Sequence, residues 1–403
     1  MYIKRERYLS KIRPFYDVDL IKVLTGVRRC GKSILLEQIK EEFIENGFDR
    51  AHIITINFED LQFEKIRTAE KLNSYVNEQI KDHDKYLIFL DEIQHVRSFE
   101  KVLASFRATL NCSIFITGSN SKLLSGKMAT LLVGRCVEFR IMPFSFAESY
   151  EYATAIGRNM SPDEFMIDYI NWGGFPLRFS FTKESDIKRY LEQTYEGILD
   201  KDIITDRSKV NRQNFERVAT YIMANAGKEN IENYFIHQNA DTLDKKTIYR
   251  YLDKMEKACL IDRVKRFNIV GKQAMSYIEK QYAVDTGFRM INTNLVNFED
   301  TFFLENIIYN ELKARDYEVF TGKTYKGEID FVAINGRKKC FIQVAYYLAG
   351  KETIEREFGA FKPISDASPK YVFSLDRFDY SRNGIAHINI VDFLLGKKDI
   401  NLS

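Results

Sequence analysis

Eight residues do most to limit what this chain can fold into: Gly26-Val27-Arg28-Arg29-Cys30-Gly31-Lys32-Ser33. They fit the spacing Gly, four residues, Gly-Lys-Ser, which works only as a tight turn between a strand and a helix. Such a turn points successive backbone N–H groups inward as a nest for anions, and the following helix adds the positive end of its dipole. Gly26 and Gly31 allow backbone angles and close approaches that a Cβ would block. In a loop of this kind Lys32 reaches the β- and γ-phosphates of a nucleotide, and Ser33 offers its hydroxyl to Mg2+. Both flanks agree. Residues 20–25 are a short apolar run with the character of a buried strand, and Leu36, Ile39 and Phe43 follow at helical spacing. The expected nucleotide-contacting set is Gly26, Val27, Arg28, Arg29, Cys30, Gly31, Lys32, Ser33 and Ile34. At Cys30, a small tolerated residue is a better reading than a catalytic thiol.

Further elements extend the pattern. A second strand is expected at 52–58, and Tyr86-Leu87-Ile88-Phe89-Leu90 runs straight into Asp91-Glu92. A buried parallel strand is apolar throughout and presents polar groups at its C-terminal edge. Asp91 is placed to hold Mg2+ and Glu92 to polarise an attacking water; a strand ending by chance in a turn-forming acid is the alternative. Residues 113–118 make another apolar strand, and a polar side chain just beyond it, Ser119 or Asn120, is placed to sense a γ-phosphate. Strands also end in such turns for purely local reasons. Arg135 stands just before a fifth strand at 136–141. An arginine there can meet the γ-phosphate held by a neighbouring subunit, or can pair locally.

A chain of 403 residues calls for two or three domains. Hydrophobic content of 45% with 29% charged residues is that of a globular chain. The net charge of +3 makes no field over the whole protein, so any affinity for nucleic acid has to come from a local patch. Five widely spaced cysteines without a Cys-x-x-Cys pair argue for a reducing compartment, with neither disulfide framework nor zinc site. The charged N-terminus has no apolar run behind it, and no stretch approaches 18 apolar residues. A cytoplasmic protein without a membrane partner is expected.

The remainder is read more coarsely. Residues 1–20 look like a helical lead-in and 143–160 like a link. A helix ends at Trp172 before Gly173, Gly174 and Pro176. Residues 184–205 are helical, with Tyr190, Leu191, Tyr195 and Ile198 on one face. Residues 207–270 carry 13 Lys and Arg against 8 Asp and Glu. Within them a helix at 244–255 has the apolar stripe Ile248, Tyr251, Leu252 and Met255, and 260–267 alternates like a strand. Helix followed by wing resembles a winged-helix unit. Lys245, Lys246 and Arg250 are then candidates for facing DNA, against the alternative of a solvated basic face on a packing module. A helix at 302–312 carries Glu305. Strands follow at 317–320, 328–333, 340–345 and 370–375, with Asn335-Gly336 as a hairpin turn.

Gly26 to Ser33, Leu87 to Glu92 and the Thr117-Gly118-Ser119 strand end together resemble the P-loop ATPases of the AAA+ and signalling-ATPase group, especially members with a Gly-x-Arg-Arg-x-Gly-Lys loop. Gly174-Phe175-Pro176 looks like the Gly-x-Pro element of that group's lid. The whole chain resembles bacterial and archaeal two-part proteins in which this ATPase precedes a C-terminal domain of unassigned function. The resemblance implies an α/β fold in three parts: a P-loop parallel-sheet ATPase core at 1–160, a helical and winged-helix middle domain at 161–290, and an α/β restriction-endonuclease-like domain at 291–403. It implies a slow ATPase using ATP and Mg2+, with Lys32, Glu92, Asn120 and Arg135 catalytic and with Ser33 and Asp91 on the metal. The endonuclease-like fold places one acid on a helix, one on a strand, and Glu-x-Lys on the next strand. Glu305 and Asp330 fit the first two, but Gln343-Val344-Ala345 stands where Glu-x-Lys should be. A carboxylate and a water-activating lysine are therefore missing, and nuclease activity is not expected; Lys351 is the candidate substitute for the lysine. Action on DNA, a nucleotide-dependent switch acting on a protein partner, and assembly as a homo-oligomer all stay open.

Overall fold

The computed structural model describes residues 2–118, 132–204, 210–225, 227, 235, 243–271, 273–292 and 301–402. The chain forms two compact units, Met1–Pro143 with Lys257–Cys259, and Phe144–Glu256 with Leu260–Ser403. Among the described residues, no helix is long and apolar enough to cross a membrane.

In the first unit, α1 (Glu6–Ile12) precedes an alternating series: β1 (Ile21–Thr25), α2 (Lys32–Glu45), β2 (Ile53–Asn57), α3 (Ala69–Gln79), β3 (Tyr86–Asp91), α4 (Phe99–Thr109), β4 (Cys112–Gly118) and β5 (Cys136–Arg140). The strands form one sheet in the order β2-β3-β4-β1-β5, with every neighbouring pair parallel. β1 and β3 are buried at every residue, which is why their sequences are apolar runs without alternation. Lys22 is the exception within β1. Its ammonium reaches the N-terminal end of the sheet and donates to Val18 O (2.9 Å) and Ser113 Oγ (2.7 Å), while burial pushes its pKa down to about 8. The core on one face joins Ile21, Val23, Ile56, Leu72, Ile88 and Phe106. Because all strands run the same way, their C-terminal ends share one edge. Thr25 lies opposite Gly118, and Asn57 opposite Asp91. Ligands of such sheets bind at that edge.

The second unit starts with helices: α5 (Phe146–Ala155), α6 (Pro162–Trp172), α7 (Glu184–Ile198), α8 (Arg212–Ala224) and α9 (Lys245–Lys257). There follow β6 (Ile261–Asn268), β7 (Gln273–Ala283), α10 (Gly287–Asn292), α11 (Thr301–Ala314), β8 (Glu318–Lys323), β9 (Glu328–Asn335), β10 (Lys338–Val344), α12 (Lys351–Gly359), β11 (Lys370–Ser374), β12 (Ile385–Asn389) and α13 (Ile390–Leu394). Seven strands make a mixed sheet in the order β12-β11-β10-β9-β8-β6-β7. The hairpin expected at Asn335-Gly336 closes β9 onto β10, with Asn335 opposite Lys338 and Gly336 at a φ of 60°.

Several expectations change. Residues 146–155 are helical, not a link. Ser145 and Glu148 form a reciprocal capping box, the Ser145 N–H donating to Glu148 Oε2 (2.8 Å) and the Glu148 N–H to Ser145 Oγ (3.3 Å), and the helix buries Phe146 and Ala153. The strand read as a wing does pair with β7, but its other edge runs parallel to β8, with Arg266 opposite Thr321. Strands on both sides of the division expected at 290 therefore belong to one sheet. β7, β12, α12 and α13 had no expectation at all.

The two glycines after α6 are required by space. A Cβ on Gly173, whose φ is 65°, would stand 1.8 Å from Asp285 Oδ1, and one on Gly174 would stand 1.9 Å from Phe144 O. The buried Asp285 carboxylate accepts the Gly174 N–H (2.7 Å) and the Gly287 N–H (2.9 Å), and burial pushes its pKa up to about 6. The fully buried Arg178 donates to Gly173 O (2.6 Å) and Asp168 Oδ2 (2.8 Å).

Candidate functional site

Beyond Thr25 the chain turns at once. Gly26 has a φ of 146°, and a Cβ there would lie 2.1 Å from Ile141 O. Gly31, at a φ of 102°, is the residue from which α2 starts. Arg29 takes a φ of 67°, an uncommon conformation outside glycine that the surrounding loop has to hold. Lys32 is 4% exposed, and its ammonium donates to Gly26 O and Val27 O, both at 3.0 Å. The lysine thus bridges its own loop, and an entering phosphate competes with those carbonyls for it. Val27 and Cys30 are buried, with Cys30 Sγ donating to Ile141 O (3.3 Å). Arg28 lies 3.5 Å from Glu59, Arg29 and Ser33 are exposed, and Ile34 is half-buried.

Asp91, the last residue of β3, faces the same loop, and Glu92 follows it directly. Asp91 is 5% exposed and Glu92 7%, Glu92 at a φ of 56°. One hydroxyl serves both: Thr117 Oγ1 donates to the Asp91 carboxylate and accepts the Glu92 N–H at 2.9 Å. Burial pushes the Asp91 pKa up, opposed by hydrogen bonds from Thr117 and Ser33 and by the Lys32 charge. The Glu92 carboxylate also accepts a hydrogen bond from Gln94 Nε2. Ser33, Lys32, Asp91 and Glu92 are therefore gathered at one edge.

Other expected residues fare differently. Asn120, and its alternative Ser119, lie outside the described residues. Arg135 is exposed in the turn before β5, where its carbonyl accepts the Ile21 N–H at 2.9 Å. That is the start of β1, roughly 16 Å of strand from the loop at about 3.3 Å per residue, so Arg135 does not serve its own chain's loop. α9 buries Ile248, Tyr251, Leu252 and Met255 and leaves Lys245, Lys246 and Arg250 exposed, as the stripe implied. All five cysteines are free. Thr117 and Arg5 escaped the sequence reading. Thr117 had a signal, a polar side chain inside an apolar strand, but the role went to residues beyond it. Arg5 had none.

In the second unit Glu305, Glu328, Asp330 and Gln343 line one cavity of about 460 Å³. Its polar groups are largely engaged with one another. Asp330 Oδ2 accepts the Val344 N–H (2.7 Å), Gln343 Oε1 accepts the Asp330 N–H (2.8 Å), and Gln343 Nε2 donates to Glu357 Oε2 (3.0 Å). Burial pushes the carboxyl groups of Glu305 and Asp330 up, against the charge of Lys280. Lys351, the expected substitute lysine, is exposed at the start of α12 and does not line the cavity. Two buried cations meet Glu328 at this cluster: Arg266 of β6, whose guanidinium pairs with Glu328 Oε1, and Lys280 of β7, 3.3 Å from Glu328 Oε2; Lys280 also bears on Glu305 and Asp330. No local pattern marks Lys280, because its partner is 48 residues away and on another strand.

Residues 19–150 match the family model of an AAA domain, and residues 163–299 that of a domain of unknown function. An uncharacterized protein of Haemophilus influenzae is 32% identical over 401 residues, which is 98% of each chain. Uncharacterized protein MJ1544 of Methanocaldococcus jannaschii is 30% identical over 394 residues, covering 92% of this chain and 85% of its own. Among solved structures, the Walker-type ATPase paby2304 of Pyrococcus abyssi is similar with a TM-score of 0.48 at 16% identity, over 72% of this chain and 96% of that one.

Proposed function

The chain belongs to the family of these Haemophilus influenzae and Methanocaldococcus jannaschii proteins and carries a P-loop ATPase core of the AAA type, and on that premise we propose that it binds ATP with Mg2+ and slowly hydrolyses it. The observation that carries this is the meeting of Lys32, Ser33, Asp91 and Glu92 at one sheet edge, with Thr117 tying the two acids together. The loop amides and Lys32 would bind the β- and γ-phosphates. Asp91, with the Ser33 hydroxyl beside it, is an oxygen donor set suited to a hard divalent cation. Such an ion, when bound, neutralises charge on the phosphates. The Glu92 carboxylate would accept the proton of the attacking water, with Gln94 Nε2 bonded to one of its oxygens. In the test, Lys32→Ala abolishes tight nucleotide binding, while Glu92→Gln binds and does not turn over. Unchanged turnover in Glu92→Gln removes Glu92 from this role.

The exposed Arg135 is left for a neighbouring copy's nucleotide, which makes the active form a homo-oligomer. The second unit adds a restriction-endonuclease-like arrangement without efficient nuclease chemistry. Its order α11-β8-β9-β10-α12-β11 and the shared cavity of Glu305, Asp330 and Gln343 support that reading. Gln343 replaces a carboxylate, and its amide is taken up by Asp330 and Glu357. The ATP cycle acts either on DNA, through Lys245, Lys246 and Arg250 of a winged-helix-like segment, or on a protein partner. Stimulation of the ATPase by DNA, falling steeply with salt, selects the first; its absence selects the second.

A further inference from the structure

Residues 141–143, where the chain leaves the first unit, lie along the back of the phosphate loop. The Ile141 N–H donates to Thr25 O (2.7 Å), and Ile141 O meets both the Cα of Gly26, where no Cβ fits, and the Cys30 thiol. One side chain closes this contact. Arg5 is 1% exposed, and its guanidinium donates to Cys30 O (3.1 Å) inside the loop, to Met142 O (3.0 and 3.1 Å) and to Pro143 O (3.3 Å). It stands 4.6 Å over the Tyr8 ring, and the Tyr8 hydroxyl accepts the Met142 N–H at 3.0 Å. The same short segment is tied to α2. The Arg5 N–H donates to Gln38 Oε1 (3.0 Å) and Gln38 Nε2 to Ile3 O (2.6 Å). A buried guanidinium is costly unless its donors are met, and its planar fork offers five donors in fixed directions, which suits it to hold two backbone segments at once.

We propose that Arg5 is a positioning residue of the nucleotide site, which holds the phosphate loop against residues 141–143 and carries the loop's state to that exit. The inference rests on the ATP-binding reading. Lys32 now bonds Gly26 O and Val27 O, and Gly26 is the residue of the loop that packs against Ile141. When a phosphate takes the ammonium, those carbonyls lose their donor and the loop readjusts. The readjustment reaches 141–143 through the Gly26 contact and through Arg5 on Cys30 O.

The experiment is hydrogen exchange on the full chain, with and without ADP or a non-hydrolysable ATP analogue, read at peptides covering 139–145. Steady-state ATPase and thermal melting accompany it. Nucleotide slows exchange at 139–145 in the wild type. In Arg5→Lys the response is lost and KM for ATP rises roughly tenfold, the equivalent of one good hydrogen bond, while kcat changes less. Tyr8→Phe, which removes one bond to Met142 and leaves the arginine, weakens the response partially. A purely structural role would lower the melting temperature of Arg5→Lys with KM and the exchange response unchanged, and that result overturns the proposal. An intact response in both variants does the same. A wild type that binds no nucleotide refutes the ATP reading itself, and separate binding measurements distinguish that failure from a failure of Arg5 alone.

Discussion

Replacing Thr117 by valine removes one hydroxyl and almost no volume, at a site with no exposure. The hydroxyl serves two groups, so the loss is double. The Glu92 N–H is left without its partner inside the protein, which costs about 1–3 kcal/mol. The Asp91 carboxylate loses a charge-assisted donor, worth about 1.5–3 kcal/mol. The Ser33 bond to Asp91 survives, and the site relaxes somewhat, so a net loss of about 2–4 kcal/mol of stability is expected. The catalytic effect follows from the same bond. Glu92 sits at a φ of 56°, and its N–H bond to Thr117 helps hold that conformation. With the bond gone the carboxylate is less well aimed at the water, so kcat falls by about 10- to 100-fold, the upper end being what a misplacement of about 1 Å costs. KM changes little, because the loop is untouched. A donor to the charged form of Asp91 is lost, so its pKa rises further and the acid limb of the kcat profile moves to higher pH. Thermal melting and an ATPase pH profile on Thr117→Val and Thr117→Ser measure all of this, the serine variant recovering most of the wild-type behaviour. The reasoning is refuted if Thr117→Val keeps kcat within about twofold and an unmoved acid limb, or if the serine variant is as poor as the valine, since packing of the methyl group would then be what matters.

Two other outcomes are expected. Glu42 accepts hydrogen bonds from Arg13, and is bonded also by Lys4 and Tyr16, which holds its carboxyl down at about 2 against an ordinary 4.5. Its folded pKa lies below the unfolded one, so its contribution is present above about pH 4.5 and is lost as pH falls from there through 2. Allowing for solvent screening it amounts to about 1–2 kcal/mol, and melts of the wild type and Glu42→Gln should differ at pH 7 and converge only below about pH 2. Incubation with linear, circular and single-stranded DNA plus Mg2+ or Mn2+ should give no cleavage; cleavage that vanishes in Asp330→Ala would overturn the inactive reading and make Lys280 the first candidate for the missing lysine.

Legibility in the sequence followed the range of each interaction. The phosphate loop, β1 and β3 could be read because their requirements are contiguous. A phosphate nest needs its glycines and lysine within eight residues, and a doubly covered parallel strand needs an unbroken apolar run. The stripe of α9 was legible for the same reason, since helical periodicity repeats within one turn. Even the helix at 146–155 had its signal in Ser145 and Glu148, passed over because the surrounding residues look like a link. Thr117 could be seen as polar in an apolar strand, but its purpose needs β4 beside β3: Leu90 lies opposite Ile116, so Asp91 and Thr117 come next to each other across 26 residues of sequence. Arg5 finds Met142 across 137 residues and Lys280 finds Glu328 from a strand three places away in sheet order. Likewise β6 joins β8 because a free sheet edge exists there, not because of any pattern within β6. What the sequence by itself determined is where backbone and side chains must adopt a local form. Which distant groups then meet was decided by the tertiary structure, because a buried donor or charge takes whatever partner packing brings within about 3 Å, and sequence separation has no part in that distance.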